Sequence, residues 1–323
     1  MGWDAFEKML VNRIREGISG GRNVLVKAGE DDAAIVRCGD TRIVVTTDMM
    51  FRRTHFPKAM RNEEIAGKIV AANMSDLAAM GAVPLCFLLS AGAPKSEAQV
   101  IPRIVMHAQK CCMEYGASLV GGDTKKAREL TLCGFAVGYM GEGCKPLLRK
   151  NARVGDVVAV TGEIGSAACG LMLVLEGRRD GELASSFLKP RARVKEGIIF
   201  SEFPRAAAMD ITDGLFYTAG EIARESGVML SIESEKIPTS RAFEKFIYAR
   251  GMDKSAMLNV GEDYELLVCM PKKTFEEAGE KVKLYEIGVV ERGRGIKVDG
   301  KKVHAHGYDA FGGGMEGKTD GRR

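Results

Sequence analysis

Aspartate recurs in this chain at the ends of apolar segments, mostly flanked by small residues. Asp31-Asp32 precede Ala33-Ala34, and Asp48 follows Thr46-Thr47. Asp76 follows Ser75, Asp123 follows Gly121-Gly122, and Asp210 and Asp213 lead into Gly214. Aspartate is a poor residue inside strands and helices, so its placement in five such segments constrains the fold. Any one of them alone reads as an ordinary turn or helix cap. Together they point to a fold that gathers carboxylates, which repel one another unless cations lie among them. Hard oxygen donors of this kind suit Mg2+, which keeps waters and bridges to phosphates.

The chain is long enough to house such a cluster. Its 323 residues fit two domains, and 46% hydrophobic with 28% charged residues is the balance of a globular protein. A net charge of +4, with the 47 basic residues spread along the chain, argues against a nucleic-acid partner. The eight cysteines include no C-x-x-C pair, which disfavours zinc and suits free thiols in a reducing compartment. No apolar run approaches the ~20 residues of a membrane span. The N-terminus is charged from Asp4 onward, unlike a signal peptide. The expectation is a cytoplasmic protein with no membrane partner.

Hydrophobic spacing predicts helices over 4–16, 62–80, 96–115 (capped by Ser96), 166–175, 217–226, 240–250 and 273–278. Strands are expected at 33–36, 42–47, 83–90, 118–120, 130–140, 157–161, 229–232, 265–270 and 286–290. Residues 178–186 read as a polar loop or short helix. The polar stretch ending in Gly155-Asp156 marks a boundary. The expected division is an N-terminal metal-, ATP-binding and dimerisation domain over 1–150, a C-terminal α/β domain over 151–311, and a disordered Gly-rich tail over 312–323.

No G-x-x-x-x-G-K-[ST] phosphate loop is present, and the protein-kinase motifs are missing. Gly162-x-x-Gly165 after a strand could meet a phosphate or could be a tight turn. Gly121-Gly122-Asp123-Thr124 is the better candidate, because two glycines admit close backbone approach and Asp123 can hold a bridging metal. His55, Arg149 and the acidic run Gly261-Glu262-Asp263-Tyr264-Glu265 each have an equally plain structural reading: a lone histidine, a solvated arginine and a solvated turn.

In order along the chain, six motifs resemble the thiamine-monophosphate kinase family. They are Asp31-Asp32-Ala33-Ala34, Thr46-Thr47-Asp48 with His55-Phe56, Ser75-Asp76-Leu77-Ala78-Ala79-Met80-Gly81-Ala82, Gly121-Gly122-Asp123-Thr124, Asp210-Ile211-Thr212-Asp213-Gly214-Leu215, and Gly261-Glu262-Asp263-Tyr264-Glu265-Leu266. The similarity runs from about residue 29 to the Gly307–Phe311 ending. It implies the two-domain α/β (α+β) fold of the aminoimidazole ribonucleotide synthetase type, with an N-terminal mixed sheet plus helices and a C-terminal α/β domain. It also implies a homodimer joined through the N-terminal sheets, and transfer of a phosphoryl group from ATP directly to thiamine monophosphate.

Carried over by position, the resemblance implies that Asp32, Thr46, Thr47, Asp48, Asp76, Asp123, Asp210 and Asp213 hold several Mg2+ ions. Gly122, Asp123, Arg149 and Thr212 would contact ATP, and His55, Glu262 and Tyr308 the thiamine phosphate. No dedicated catalytic base is expected. The chain departs from the family at Glu30, at Arg52-Arg53, and in having no tyrosine before Tyr115 on the 96–115 segment. The alternatives are a sister enzyme acting on another small phosphate ester, and a nucleotide-binding protein without turnover.

Overall fold

The computed structural model of the chain describes residues 4–303. Two seven-stranded sheets organise them. The first comprises β1 (Val24–Val26), β2 (Ala34–Cys38), β3 (Thr41–Phe51), β4 (Val83–Ala93), β5 (Ser118–Gly121), β6 (Thr124–Lys126) and β7 (Thr131–Tyr139). Its order is β1-β2-β3-β7-β4-β5, with β6 continuing beside β4 where β5 ends. The second comprises β8 (Val157–Val160), β9 (Ala207–Asp210), β10 (Met229–Ile232), β11 (Leu266–Met270), β12 (Tyr285–Glu291), β13 (Gly295–Val298) and β14 (Lys301–Val303). Its order is β14-β13-β10-β12-β8-β11-β9.

The helices are α1 (Asp4–Gly17), α2 (Arg52–His55), α3 (Asn62–Ala79), α4 (Ile101–Glu114), α5 (Ser166–Leu175), α6 (Glu182–Leu188), α7 (Val194–Ser201), α8 (Leu215–Ser226), α9 (Arg241–Arg250), α10 (Lys254–Leu258) and α11 (Lys272–Gly279). None is long and apolar enough to cross a membrane.

Strand chemistry explains how the sheets are used. In β7 the residues Leu132, Gly134, Ala136 and Gly138 are buried, while Cys133, Phe135 and Val137 alternate with them on a more exposed face. That period of two marks a sheet covered on one side only. In β8 and β11 every residue is buried. Val157 and Ala159 join one core with Leu266, Val268 and Met270, while Val158 and Val160 join a second with Leu267 and Cys269. The middle of the second sheet is thus buried on both faces, and one of them shares its core with α3 of the first half.

Helix α3 is buried nearly all round. It packs against α4, α7, β3, β7 and β9, so it runs between the two sheets. Gly197 of α7 rests on the α3 backbone: a Cβ there would lie 2.1 Å from the Ala78 carbonyl oxygen. The two halves therefore meet backbone to backbone along this contact.

Two expectations need correction. The helix expected from Ser96 begins at Ile101, and a 3-10 turn fills 98–100. Pro102 stands in its first turn, where a missing N–H costs nothing, and Val100 rather than Ser96 is the cap. The strand expected to stop at Thr47 runs on to Phe51 and pairs with β7 throughout, so Asp48 is a strand residue opposite Gly134. Of the two readings of 178–186, the short helix is the one found: α6 begins at Glu182 and buries Leu183, Ala184, Phe187 and Leu188. The segment expected to be disordered, 312–323, lies outside the described residues.

Candidate active site

Four of the sequence-predicted carboxylates converge. Asp32 comes from the bend before β2, Asp48 from the buried side of β3, Asp76 from α3 and Asp210 from the end of β9. Asp32, Asp76 and Asp210 each place one oxygen within 4.8 Å of the other two. Burial pushes Asp76 and Asp210 well above the usual carboxylate range. The Asp48 charge is the next cause for Asp76, and the Asp32 charge for Asp210. Burial, then Asp32, lifts Asp48 to about 6.

Such a cluster is unfavourable as it stands, because desolvation and mutual repulsion both oppose ionisation. One Asp210 oxygen is buried without a well-directed hydrogen bond, and the Ser75 hydroxyl stands close enough to lower the Asp210 pKa without meeting hydrogen-bond geometry. An orphaned buried oxygen among hard anionic donors fits a divalent cation such as Mg2+.

The surrounding residues fix these carboxylates. Thr46 donates its hydroxyl to Asp76 at 2.5 Å. Asn73, one turn back on α3, accepts the Asp48 N–H at 3.3 Å and donates to Ile69 O at 2.9 Å. Arg149 binds the first pair: its backbone N–H donates to Asp31 at 3.1 Å and its guanidinium to Asp32. Asp31 is raised to about 7, by burial first and then by the Asp32 charge. Arg149 is therefore ion-paired within the protein and not solvated.

Other predicted residues lie apart from this group. Thr47 alternates to the opposite face of β3, where its hydroxyl donates to Gly134 O at 2.8 Å, so it does not bring its side chain to the cluster. Asp123 is exposed in the β5–β6 turn and pairs with Lys125 at 3.2 Å. Gly122, at φ +156°, lies against β4, where a Cβ would come within 1.9 Å of Leu89 O. The chain's own backbone therefore requires that glycine. Asp213 and Thr212 occupy the turn between β9 and α8. The Thr212 carbonyl accepts the Glu262 N–H at 2.8 Å.

A second group forms two turns along α3. Lys68 donates to Glu262 Oε1 at 2.8 Å and to the His55 carbonyl at 3.2 Å. Its ammonium also stands 4.5 Å from the centroid of the Phe187 ring. The Tyr264 hydroxyl donates to Glu262 Oε2 at 3.3 Å. His55 Nδ1 accepts from the Phe51 N–H at 3.2 Å. Burial, then the Lys68 charge, lowers the His55 pKa. Glu262 and Tyr264 both have positive φ, 69° and 54°, a conformation costing about 1–3 kcal/mol each that tertiary contacts must hold.

His55 and Glu262, predicted separately, are thus brought together, and the acidic run is no solvated turn. Tyr308 lies outside the described residues. Sequence reasoning missed Lys68 and Asn73. The available signal was a lysine and an asparagine on an otherwise apolar helix, with Lys68 eight residues before Asp76 and so on the same face.

The remaining acidic residues of the run serve the C-terminal half. Asp263 accepts the Gly165 N–H at 3.0 Å, occupying the N-terminus of α5 where a phosphate had been one possibility. Burial pushes Asp263 up to about 8. Glu265 binds Arg193 and accepts from Thr161 at 2.6 Å. Tyr115, at the end of α4, gives its hydroxyl oxygen to the Ala192 N–H at 3.0 Å.

Comparison with known proteins supports the same architecture. The family AIR synthase related protein, N-terminal domain, matches residues 30–140, and the corresponding C-terminal domain matches residues 153–301. A thiamine-monophosphate kinase of Pyrococcus horikoshii is 37% identical over 270 residues, 83% of this chain and 84% of that protein. One of Methanopyrus kandleri is 38% identical over 277 residues, 84% and 86% of the two chains. The solved structure described as AaThiL complexed with AMPPCP and TMP superposes with a TM-score of 0.83 at 29% identity. It covers 94% of this chain and 96% of its own.

Proposed function

The chain belongs to the thiamine-monophosphate kinases, and from that premise we propose how its own residues divide the reaction. It carries out the ATP-dependent phosphorylation of thiamine monophosphate to thiamine diphosphate. The observation that carries this reading is the placement of two groups on one face of α3. The Asp32–Asp76–Asp210 cluster stands at one end and the Lys68–Glu262–His55 group at the other. Eight residues of helix separate Asp76 from Lys68, a rise of about 12 Å, which suits a triphosphate at one end and a phosphorylated acceptor at the other.

An acceptor phosphate oxygen attacks the γ-phosphorus of ATP, and the bond from that phosphorus to the β–γ bridging oxygen breaks, releasing ADP. The acceptor oxygen is already ionised at neutral pH, so no residue need remove a proton, and positioning carries the catalysis. Asp32, Asp48, Asp76 and Asp210 would hold Mg2+, with Thr46 orienting Asp76 and Arg149 orienting Asp32. When bound, Mg2+ would neutralise charge on the transferring phosphoryl group. Asp123 and Asp213, which are not in the Asp32–Asp76–Asp210 group, would help to hold Mg2+ at the nucleotide phosphates. Gly122 and Thr212 line the nucleotide's path, and His55 and Glu262 face the acceptor.

The uncovered face of the first sheet supports a homodimer. Met49, Phe51 and Phe135 are exposed there on adjacent strands β3 and β7. Eight free cysteines suit a cytoplasmic setting. The deciding experiment incubates the purified chain with ATP, MgCl2 and thiamine monophosphate and follows thiamine diphosphate by chromatography. Diphosphate matching ADP mole for mole is the expected result. Turnover only with a different phosphate ester would sink the acceptor assignment.

A further inference from the structure

Lysine is among the residues least often fully buried, because its ammonium needs partners in every donor direction. Lys68 has a side-chain exposure of only 1%. Its partners are Glu262, the His55 carbonyl and the face of Phe187. Helix packing does not call for this charge. Glu64, one turn before it, is already engaged by the Arg61 N–H and by Arg179. A methionine would fill the same space against Phe187.

What the ammonium does is reach across 194 residues of sequence and fix a carboxylate. Glu262 sits at φ 69°, in a backbone conformation that favours glycine. Its two oxygens are held separately, one by Lys68 and one by the Tyr264 hydroxyl. The carboxylate still has 24% of its side chain exposed, which leaves lone pairs open toward the site.

We propose that Lys68 is a positioning residue for the acceptor. It holds Glu262 and the His55 carbonyl in the arrangement that accepts a hydrogen bond from the amino group of thiamine monophosphate. The inference rests on the function proposed above. The Lys68–Glu262 pair presents an aimed hydrogen-bond acceptor whose charge is largely balanced. Removing the ammonium frees Glu262 to turn, while the nucleotide end of α3 keeps its own carboxylates.

The test compares Lys68→Met, Glu262→Gln and the double variant by steady-state kinetics, with circular dichroism as the check on folding. Lys68→Met raises KM for thiamine monophosphate about tenfold or more and changes KM for ATP by less than about twofold. The double variant is impaired by far less than the product of the two single penalties, because Lys68 acts largely through Glu262. Lys68→Gln keeps one donor for Glu262 and falls between wild type and Lys68→Met.

Should Lys68→Met fail to fold, calorimetric binding of thiamine monophosphate to Lys68→Gln, without ATP, gives the same readout as a loss of affinity. Penalties that multiply in the double variant, equal effects on both substrates, or unchanged acceptor binding would each overturn the inference. No diphosphate from the unsubstituted enzyme would overturn the function and this inference together. Normal wild-type turnover with multiplying penalties would overturn this inference alone.

Discussion

The Thr46 hydroxyl donates to Asp76 at 2.5 Å, joining strand β3 to helix α3 at the point where the carboxylates gather. This bond partly offsets the cost of ionising Asp76, yet Asp76 stays well above the usual range, with burial the largest cause. The site is thus built at the expense of the metal-free fold, a common trade at functional positions.

Asp76→Asn should separate the two effects. Replacing a crowded carboxylate by a neutral amide removes repulsion, so the metal-free protein gains several degrees in Tm, while kcat falls about a hundredfold or more. Asp123→Asn should also lower turnover but leave the metal-free Tm unchanged, because Asp123 is exposed beside Lys125. Thermal melts without divalent cation, paired with initial rates, check both outcomes. Undiminished turnover in both variants would remove the metal assignment.

The pH dependence follows from the same cluster. A carboxyl whose folded pKa is raised holds its proton in the native state after the unfolded chain has lost it. Stability therefore declines as pH rises through that window. Asp48 rises to about 6 and Asp31 to about 7, with Asp76 and Asp210 well above their usual value. Without divalent cation, Tm should fall as pH increases from about 4 to 7 and continue to fall beyond. Added MgCl2 should recover it, and by more at pH 8 than at pH 5. A magnesium effect independent of pH would contradict a cluster of protonated carboxylates.

His55→Ala should affect the acceptor end selectively. His55 contacts Phe51 and Thr54, and its carbonyl is held by Lys68. KM for thiamine monophosphate should rise more than KM for ATP, by about tenfold against about twofold. An effect confined to ATP would mean that the acceptor lies elsewhere.

Phe135→Glu tests the uncovered face of the first sheet. Phe135 is 38% exposed and lies opposite Thr47 and Leu88 on its two neighbouring strands. If the proposed homodimer forms through this face, a charge there shifts it toward monomer in sedimentation velocity, because burying an unpaired carboxylate in an apolar interface is costly. An unchanged sedimentation coefficient would exclude this face.

Several elements were readable from residue pattern alone. Val157–Val160 and Leu266–Met270 are unbroken apolar runs because both faces of their sheet are covered. The long apolar stretch with Asp76 near its end is helix α3, as its spacing and length require. The convergence of Asp32, Asp48, Asp76 and Asp210 was also anticipated, since isolated carboxylates in such settings make no physical sense. The start of α4 was misjudged because Ser96 is a good cap in isolation, whereas Pro102 and a 3-10 turn decide the register. Strands β1, β6, β9, β13 and β14 escape the sequence pattern, since runs of three or four residues carry little periodicity and only some of them, such as Val157–Val160, stand out by composition. Lys68 and Glu262 could not be joined from sequence, because nothing local tells a lysine which distant carboxylate it will meet.

The bare contact between Gly197 and the Ala78 carbonyl has a further consequence for how the molecule operates. Main chain seated on main chain leaves no slack for one half to swing away from the other. On this basis substrate entry and product release are expected to involve side chains and short turns around the contact. Turnover should then keep pace with rearrangements of a few residues, and the two lobes should not behave as closing jaws.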